Sequence, residues 1–417
     1  MASEKTDIWV YADWVKMDSP LCIGILSAQI GKGRKTFSFE YDKNWLQSEK
    51  KRILDPDIEW YSGKQFPKGK ENFGLFLDSM PDRWGRTLMK RRAIQNAKVA
   101  DKPVPNLYDI DFLLGVHDKT RMGALRFKLD PNGQFLDNDA SFSIPLWTSI
   151  RALQNAAWLA ESDDDLAMTN KWLKMLVAPG SSLGGARPKA NVAGEKGQLW
   201  IAKFPSKNDE INKGAWEFLC YQMAIKAEIQ MSTCIIQKVT GNHHTFLTKR
   251  FDRINKQRVH FSSAMTMTGH DENVLKDITP SYLELAEFIQ FQSTKPKADL
   301  KQLWRRIIFN IAVSNTDDHL RNHGFLLDNG GWRLSPAYDI NPSVDKNGLS
   351  LNIDLEDNSL DFQLAKSVGS YFQLNNQEMD VIIYSVKEVV KNWKTIANRI
   401  GIPRKEQVLM EGAFYTF

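Results

Sequence analysis

Residues 315–322 read N-T-D-D-H-L-R-N and follow an apolar helical pattern over residues 300–313. Asp317 and Asn322 stand five residues apart in this stretch. The catalytic loop of protein kinases has the same spacing, with an aspartate that accepts the proton of the substrate hydroxyl and an asparagine that binds Mg²⁺. The spacing therefore predicts a phosphoryl-transfer loop in which Asp317 is catalytic and Asn322 is a metal ligand. A polar loop at the end of a helix, without catalytic role, is the alternative.

A second aspartate, Asp339, follows 22 residues after Asp317 in the stretch S-P-A-Y-D-I-N, residues 335–341. It comes after a predicted hairpin with strands at 324–327 and 332–334. Kinases keep an Mg²⁺-binding aspartate at this point of the chain, and hard oxygen ligands suit Mg²⁺. We expect Asp339 to hold the metal together with Asn322. An Asx-turn before Pro342 is the structural alternative.

Three further pieces precede this loop in the chain. Residues 181–189 read S-S-L-G-G-A-R-P-K, a small glycine-rich loop whose backbone N–H groups can approach phosphate oxygens. Lys203 ends the apolar strand that follows, where kinases place the lysine that holds the α- and β-phosphates. Glu217, on the next helical segment, is a possible carboxylate partner of this lysine. Each piece alone also fits a surface turn, a strand end or a solvated helix face, so their order along the chain carries the inference.

A competing interpretation is a zinc hydrolase. His319 and His323 stand four residues apart, as do the two histidines of zinc-protease helices. However, Leu320 occupies the position of the catalytic glutamate, and the sequence offers no evident third ligand. The zinc interpretation is therefore the weaker one.

The composition is that of an ordinary globular protein with two or three domains or lobes: 417 residues, of which 42% are hydrophobic and 11% aromatic. The net charge of +5 permits contact with nucleic acid without predicting it. Three widely spaced cysteines, Cys22, Cys220 and Cys234, favour a reducing compartment. The N-terminus lacks a signal pattern, and no run approaches the ~18 apolar residues of a membrane helix. We therefore expect a cytoplasmic protein without membrane contact.

Together these segments resemble the HipA family of bacterial toxin kinases. The resemblance is carried by S-L-G-G-A-R-P-K (182–189), A-K-F-P (202–205), K-R-F-D-R (249–253), N-T-D-D-H-L-R-N (315–322) and S-P-A-Y-D-I (335–340). In the N-terminal part, F-G-L-F-L-D-S-M-P-D-R-W-G-R (73–86) and R-M-G-A-L-R-F (121–127) are similar to family segments. The resemblance covers nearly the whole chain.

The resemblance implies an α+β, protein-kinase-like (HipA-like) two-lobed fold. A mixed α/β N-terminal lobe and a mainly helical C-terminal lobe would enclose ATP. We place the main lobe boundary at about residue 150, where the sequence pattern becomes helical, and we expect three parts in all. These are an N-terminal HipA-like α/β subdomain (1–150), a glycine-loop and nucleotide-binding region (151–270) and a mainly helical catalytic lobe (271–417).

The resemblance also implies roles for single residues. Asp317 takes the position of the catalytic aspartate, and Asn322 and Asp339 take the metal positions. The residues that it implies to contact ATP are Ser182, Leu183, Gly184, Gly185, Ala186, Lys203, Phe251, His319 and Tyr338. Ser182 matches the autophosphorylated serine of the family, whose modification displaces the glycine loop and shuts the enzyme down; Ser181 is an adjacent alternative. ATP and Mg²⁺ are the implied cofactors.

Two departures from the family pattern lie near the expected nucleotide. The loop carries Gly184 and Gly185, one more glycine than in some members, and Lys249 stands where members can carry glutamate. The extra glycine changes the expected flexibility of the loop, and Lys249 weakens the inference about contacts beside adenine.

The expected function is ATP-dependent transfer of phosphate to a serine or threonine hydroxyl of a protein, limited by autophosphorylation. The sequence does not name the protein substrate. A catalytically quiet, kinase-shaped binding module and a small-molecule kinase are the alternatives. Family members usually pair with a small DNA-binding antitoxin, so the resemblance implies such a partner, while direct contact of this chain with DNA stays open.

Overall fold

The computed structural model describes residues 4–31, 34–136, 144–161, 176, 185–328, 330–345 and 347–415. The chain forms two compact units. One contains Met1–Ala202 and Asp252–Asp271, and the other contains Lys203–Phe251 and Glu272–Phe417. We call them the first and the second unit.

Helices and strands alternate in groups along the described residues. The strands are β1 (Glu4–Ala12), β2 (Leu21–Gly31), β3 (Arg34–Tyr41), β4 (Leu125–Lys128), β5 (Lys189–Ala193), β6 (Leu199–Lys203), β7 (Cys234–Gln237), β8 (Thr245–Lys249), β9 (Arg253–Ile254), β10 (Gln257–Arg258), β11 (Phe261–Ser263), β12 (Gly324–Asp328) and β13 (Gly331–Leu334). The helices are α1 (Lys43–Gln47), α2 (Gly74–Leu77), α3 (Arg83–Val99), α4 (Asp109–Leu114), α5 (Ile150–Ala160), α6 (Lys213–Lys226), α7 (Ala264–Met267), α8 (Tyr282–Gln292), α9 (Pro296–Ala312), α10 (Phe362–Ser367), α11 (Asn376–Lys391), α12 (Trp393–Ile400) and α13 (Arg404–Leu409).

An antiparallel sheet with strand order β3-β2-β1-β4 forms the core of the first unit. Its strands follow the period of two that buries alternate side chains. In β1, Ile8, Val10 and Ala12 are fully buried, and Ile8 lies opposite the equally buried Leu26 of β2. In the sequence, Gly31 and Gly33 predict a turn between two strand-like segments, and β2 and β3 pair as this hairpin.

The stretch 82–97 is dense in arginine and lysine, and its sequence predicts a helix. It forms α3, which begins at Arg83 because Asp82 is the N-cap. The Asp82 side chain accepts a hydrogen bond from Gly85 N at 2.9 Å. Such a cap satisfies one of the free N–H groups at a helix start. Trp84 and Leu88 bury one side of α3 in the first unit.

Helix α9 is the most buried helix of the second unit. Leu303, Trp304, Ile307 and Ile311 have no exposed surface, and α9 packs against α8 and α11. Its buried polar side chains, such as Arg306 and Asn310, are hydrogen-bonded, as buried polar groups need to be. The stretch 315–322 begins three residues after the end of α9, so the predicted catalytic loop follows a buried helix. Among the described residues, no helix combines the length and apolar character needed to cross a membrane.

Candidate active site

Lys203, the last residue of β6, holds two carboxylates in the second unit. Its Nζ donates to Glu217 Oε1 and to Asp339 Oδ1, both at 2.6 Å. Only 8% of Lys203 and 6% of Glu217 are exposed, whereas 27% of the Asp339 side chain is. Burial alone would lower the pKa of Lys203, but Asp339 and Glu217 raise it above its ordinary value. The lysine is therefore a fixed positive charge with one partner accessible to solvent.

Helix α6 positions Glu217. Asn212 caps the helix, accepting from Ala215 N, and Trp216 and Leu219 bury the same side. The helix thus turns Glu217 inward, toward the strand-end lysine. The sequence suggested this pair, and the structure brings its two members into contact.

Asp339 has a strained backbone. Its φ of +59° lies in the left-handed region, which costs a residue other than glycine about 1–3 kcal/mol and persists only where the surroundings impose it. Its Oδ1 also accepts from Asn341 Nδ2 at 3.1 Å. Strained residues of this kind concentrate at active sites and ligand clamps.

The stretch 315–322 turns its two adjacent aspartates in opposite directions. Asp317 is exposed, while Asp318 is 3% exposed. The Asp317 backbone oxygen accepts from Asn322 Nδ2 at 2.9 Å and from His319 N at 3.0 Å. The closed loop thus leaves the Asp317 carboxylate facing solvent, where a substrate hydroxyl can reach it.

The Asn322 side chain meets one requirement of a metal ligand. Its Nδ2 is used by the bond to Asp317, whereas its Oδ1 is buried without a hydrogen-bond partner. An unsatisfied buried oxygen is costly, and Mg²⁺ binds oxygen ligands of this type, often through only one or two protein groups. The donor set of Asn322 and Asp339 therefore fits Mg²⁺. No cluster of three or more histidine, cysteine, aspartate or glutamate side chains with metal-binding geometry occurs in the described part of the chain.

Direct hydrogen bonds join the loop 315–322 to the segment around Asp339. Tyr338 Oη donates to Arg321 O at 2.8 Å, and Asn341 N donates to Asn315 Oδ1 at 3.2 Å. Ser343 N also donates to Ser314 O at 3.1 Å. The residues directly before Asp339 and Asn322 are thus bonded to each other, so the two predicted metal ligands lie on adjoining loops.

Asp318 is a buried hub that the sequence analysis missed. Its Oδ2 accepts from Tyr282 Oη at 2.5 Å, from Asn310 Nδ2 at 2.7 Å and from His323 Nε2 at 2.7 Å. Burial alone would raise the pKa of Asp318, but the charge of His323 and the hydrogen bonds from His323 and Tyr282 hold it below its ordinary value. The adjacent pair of aspartates in the sequence was the available signal.

The histidines of the zinc interpretation have other surroundings. His323 donates to Asp318 and is 2% exposed. His319 is half-buried at the start of the turn Leu320–Asn322. This arrangement gives His323 a structural partner in place of a metal.

The nucleotide-contacting positions implied by the resemblance divide between the two units. In the second unit, the rings of Phe251 and Tyr338 lie 5.5 Å apart at 35°. In the first unit, Gly185 has a φ of +87°, a backbone that favours glycine, and Ala186 follows in the same bend. The other predicted loop residues, Ser182, Leu183 and Gly184, lie outside the described residues, as does Ser181.

Lys189 is a buried cation at the end of the glycine loop. Its Nζ pairs with Asp82 Oδ2 at 2.7 Å and donates to Gly185 O at 3.2 Å. Lys189 is 1% exposed at its side chain. Lys189 thus already has a carboxylate partner in Asp82.

Comparisons with known proteins bear on the family and the fold of this chain. The family model of the HipA-like C-terminal domain matches residues 181–393, just over half of the chain. The chain is similar to HipA of Shewanella oneidensis MR-1, solved in a complex with HipB and operator DNA. The TM-score is 0.66 at 16% identity, over 97% of this chain and 94% of that one. This likeness confirms the predicted fold class.

A curated relative is named "Putative kinase Y4mE", from Sinorhizobium fredii (strain NBRC 101917 / NGR234). It is 23% identical over 210 residues, which are 48% of this chain and 43% of that protein. The chain thus matches less than half the length of this relative.

Proposed function

The chain belongs to the HipA family, through its HipA-like C-terminal domain, and from this premise we propose that it is an ATP-dependent serine/threonine protein kinase. The observation that carries the proposal is the triad of Lys203, Glu217 and Asp339, with both contacts at 2.6 Å. Kinases require a strand lysine paired with a helix glutamate and an aspartate for the metal. Lys203 can keep Glu217 and exchange the more exposed Asp339 for a phosphate oxygen of ATP.

In the proposed reaction, Asp317 accepts the proton of a serine or threonine hydroxyl. The hydroxyl oxygen forms a bond to the γ-phosphorus of ATP, the bond from that phosphorus to the β–γ bridging oxygen breaks, and ADP leaves. Lys203 holds the phosphates. Asn322 and Asp339 would hold Mg²⁺, which neutralises charge on the phosphate oxygens. Because the site has to do little covalent chemistry itself, its contribution is positioning and charge.

The nucleotide contacts of the proposal are those that the family resemblance implies. Phe251 and Tyr338 would contact adenine or ribose beside His319, and the loop residues 182–186 would approach the phosphates through their backbone. The two rings already face each other at 5.5 Å. Glycine in this loop permits the close backbone approach that phosphate binding needs.

Self-limitation by phosphorylation of Ser182 is part of the proposal. Phosphoserine carries roughly −1.5 to −2 charges at neutral pH, which would repel ATP from the loop. Mass spectrometry after incubation with Mg-ATP tests it. Phosphate on Ser182 in the wild type, absent in Asp317→Ala, is expected. An active preparation that never labels residues 181–182 would rule the switch out.

A DNA-binding antitoxin is the proposed partner. The solved HipA of Shewanella oneidensis is in a complex with HipB and operator DNA, and the present chain shares its fold. We expect this chain to bind a small DNA-binding protein of the same kind. The net charge of +5 leaves direct DNA contact open.

Incubation of the chain with γ-labelled ATP and a cell lysate tests the proposed function. We expect a labelled protein with Mg²⁺ or Mn²⁺, none with EDTA, and less label with Lys203→Ala. ATP turnover without a labelled protein would indicate a small-molecule kinase. No turnover at all would indicate a quiet binding module, and restoration of activity by zinc alone would return the hydrolase interpretation.

A further inference from the structure

Three asparagines, through their side chains and one backbone N–H, join the loop of Asp317 and Asn322 to Asp339. Asn310, near the end of α9, accepts from Asn315 Nδ2 at 3.1 Å, and Asn315 Oδ1 accepts from Asn341 N at 3.2 Å. Asn341 Nδ2 then donates to Asp339 Oδ1 at 3.1 Å. We call Asn310, Asn315 and Asn341 the asparagine relay.

The relay continues at both ends into groups already described. Asn310 Nδ2 donates to Asp318 at 2.7 Å, and Asp339 accepts from Lys203 at 2.6 Å. Hydrogen bonds, connected at Asn341 through its own backbone and side chain, therefore link the buried hub Asp318 with the buried lysine. A displacement of one loop would stretch several of these bonds together.

The relay demands asparagine in its middle. Asn315 is fully buried and Asn310 is 1% exposed. Asn315 donates with its NH₂ group and accepts with its carbonyl, which aspartate cannot do while ionised and leucine cannot do at all. Removing one buried partner leaves the other unsatisfied, and such a group is expensive in the protein interior.

Two residues with strained backbone conformations lie within two positions of a relay residue in the chain. Ser314, directly before Asn315, has a φ of +49°, and Asp339 has +59°. Ser343 N binds Ser314 O, close to Asn341 in the chain. Such conformations persist only where surrounding contacts impose them. The hydrogen bonds of the relay supply such contacts on both loops.

We propose that Asn315 and Asn341 are positioning residues that set the spacing between the Mg²⁺ ligands Asn322 and Asp339. The inference rests on the proposed kinase function and goes beyond it, because neither residue touches the nucleotide or the reacting atoms in that proposal. Its physical content has two parts: Asn315 ties the two loops together through Asn341 N, and the Asn341 side chain holds the Asp339 carboxylate within its own loop. Loss of the relay should weaken metal binding and slow transfer without removing Lys203 from the site.

The expected effect is a split between metal binding and nucleotide binding. In Asn315→Ala, the Mg²⁺ concentration for half-maximal activity should rise about tenfold, and kcat should fall by about tenfold to a hundredfold, the loss typical of a misplaced reacting group. The affinity for ATP without metal should change less than twofold. If the variant were merely less stable, its metal affinity, its kcat and its ATP affinity would all fall together.

The matched control is Asn352→Ala. Asn352 lies in the same unit, is 6% exposed, and donates through Nδ2 to Thr279 O and Leu355 O. It has no bond to the relay among the described contacts. Asn352→Ala should therefore lose stability like Asn315→Ala while keeping the wild-type metal dependence.

The measurement is Mn²⁺ titration by electron paramagnetic resonance with a non-hydrolysable ATP analogue, beside the activity assay. Weaker Mn²⁺ binding in Asn315→Ala and in Asn341→Ala, but not in Asn352→Ala, supports the proposal. Asn341→Ala keeps the backbone N–H and deletes only the bond to Asp339, so it decides the question if Asn315→Ala does not fold. Mn²⁺ affinities equal to the control, in an active wild type, overturn the relay. A wild type that neither binds Mn²⁺ nor transfers phosphate overturns the proposed function itself, and the relay with it.

Discussion

Asp317 and Asp318 are neighbours in the chain but differ in exposure and in hydrogen bonding. Asp317 is exposed, and Asp318 is buried with three donors on one oxygen. A general base must be reachable by its substrate, whereas a buried carboxylate with satisfied hydrogen bonds contributes order. The two residues therefore form a natural pair of test and control.

Asp317→Ala should abolish transfer and leave the fold intact. Because the carboxylate makes its proposed contribution in the reaction alone, kcat should fall by at least ~10²-fold, with unchanged melting temperature and ATP affinity. Asp318→Asn should instead lower the stability of the fold before it affects transfer. It leaves donors from Tyr282, Asn310 and His323 competing for one amide oxygen, so unfolding should become easier. Activity assays and thermal melts of both variants check this, and a fully active Asp317→Ala would remove Asp317 from the reaction.

Lys203→Ala should weaken ATP binding or transfer more than Glu217→Gln does. The first change removes the cation for the phosphates, and the second removes only one of its two carboxylate partners. Calorimetric titration with ATP and initial rates measure the two effects. Wild-type ATP affinity and turnover in Lys203→Ala would exclude the lysine from the site.

At the scale of secondary-structure elements, Arg121 connects segments of the first unit through their backbone. It is 1% exposed, and its guanidinium donates to Ser79 O at 2.8 Å and to Leu113 O and Val116 O at 2.9 Å each. These carbonyls lie just after α2 and at the end of α4 and beyond it. Free carbonyls near helix ends need such donors when they are buried.

Arg121→Met should lower the free energy of unfolding of this chain by about 3 kcal/mol or more, since three carbonyls lose charged donors together. Arg52→Met is the control, because Arg52 donates to Glu49 O and Lys51 O at an exposed site. Its effect should stay within about 0.5 kcal/mol. Urea denaturation of both variants measures the difference, and equal midpoints would contradict the role of Arg121.

Over the whole molecule, much of the predicted organisation follows from local signals. The β2–β3 hairpin, the helices after Asp82 and Ser281, and the β12–β13 hairpin all carry their own turn or capping residues. Helix α9 begins at Pro296, earlier than the expected Leu300. Proline is favoured at the first helical position, because an N–H group there would have no partner within the helix. The helix can therefore begin at Pro296.

Only part of the candidate site can be predicted from the sequence. The pairing of Lys203 with Glu217 was expected, because strand end and helix face are local properties. The hub at Asp318 was not, because its partner Tyr282 lies 36 residues away. Burial of one aspartate and exposure of the next depend on packing around α9. The three-part domain division and the roles of the site residues stay predictions.

The pH dependence of stability tests one consequence of whole-molecule packing. His260 is 2% exposed, its ring stacks on Trp14 at 5.6 Å, and burial lowers its pKa to about 3. In the unfolded chain a histidine has a pKa near ~6.5. Below that pH the unfolded state takes up a proton that the folded state refuses. Stability contributed by neutral His260 is therefore present above about pH 6.5 and is lost as pH falls toward 3, by about 1.4 kcal/mol per pH unit.

His260→Phe should keep the stacking on Trp14 and remove this loss. Between pH 6.5 and 5.0 the wild type should lose about 2 kcal/mol more than the variant. Urea denaturation at both pH values measures it, with His260→Gln as a second variant that also lacks the titration. Acid-sensitive carboxylates such as Asp118 and Asp318, whose pKa values are lowered in the folded state, act equally in all three proteins and cancel in the difference. If the three proteins lose stability in parallel over this range, His260 is not neutral in the fold, and the packing around Trp14 must admit its charge.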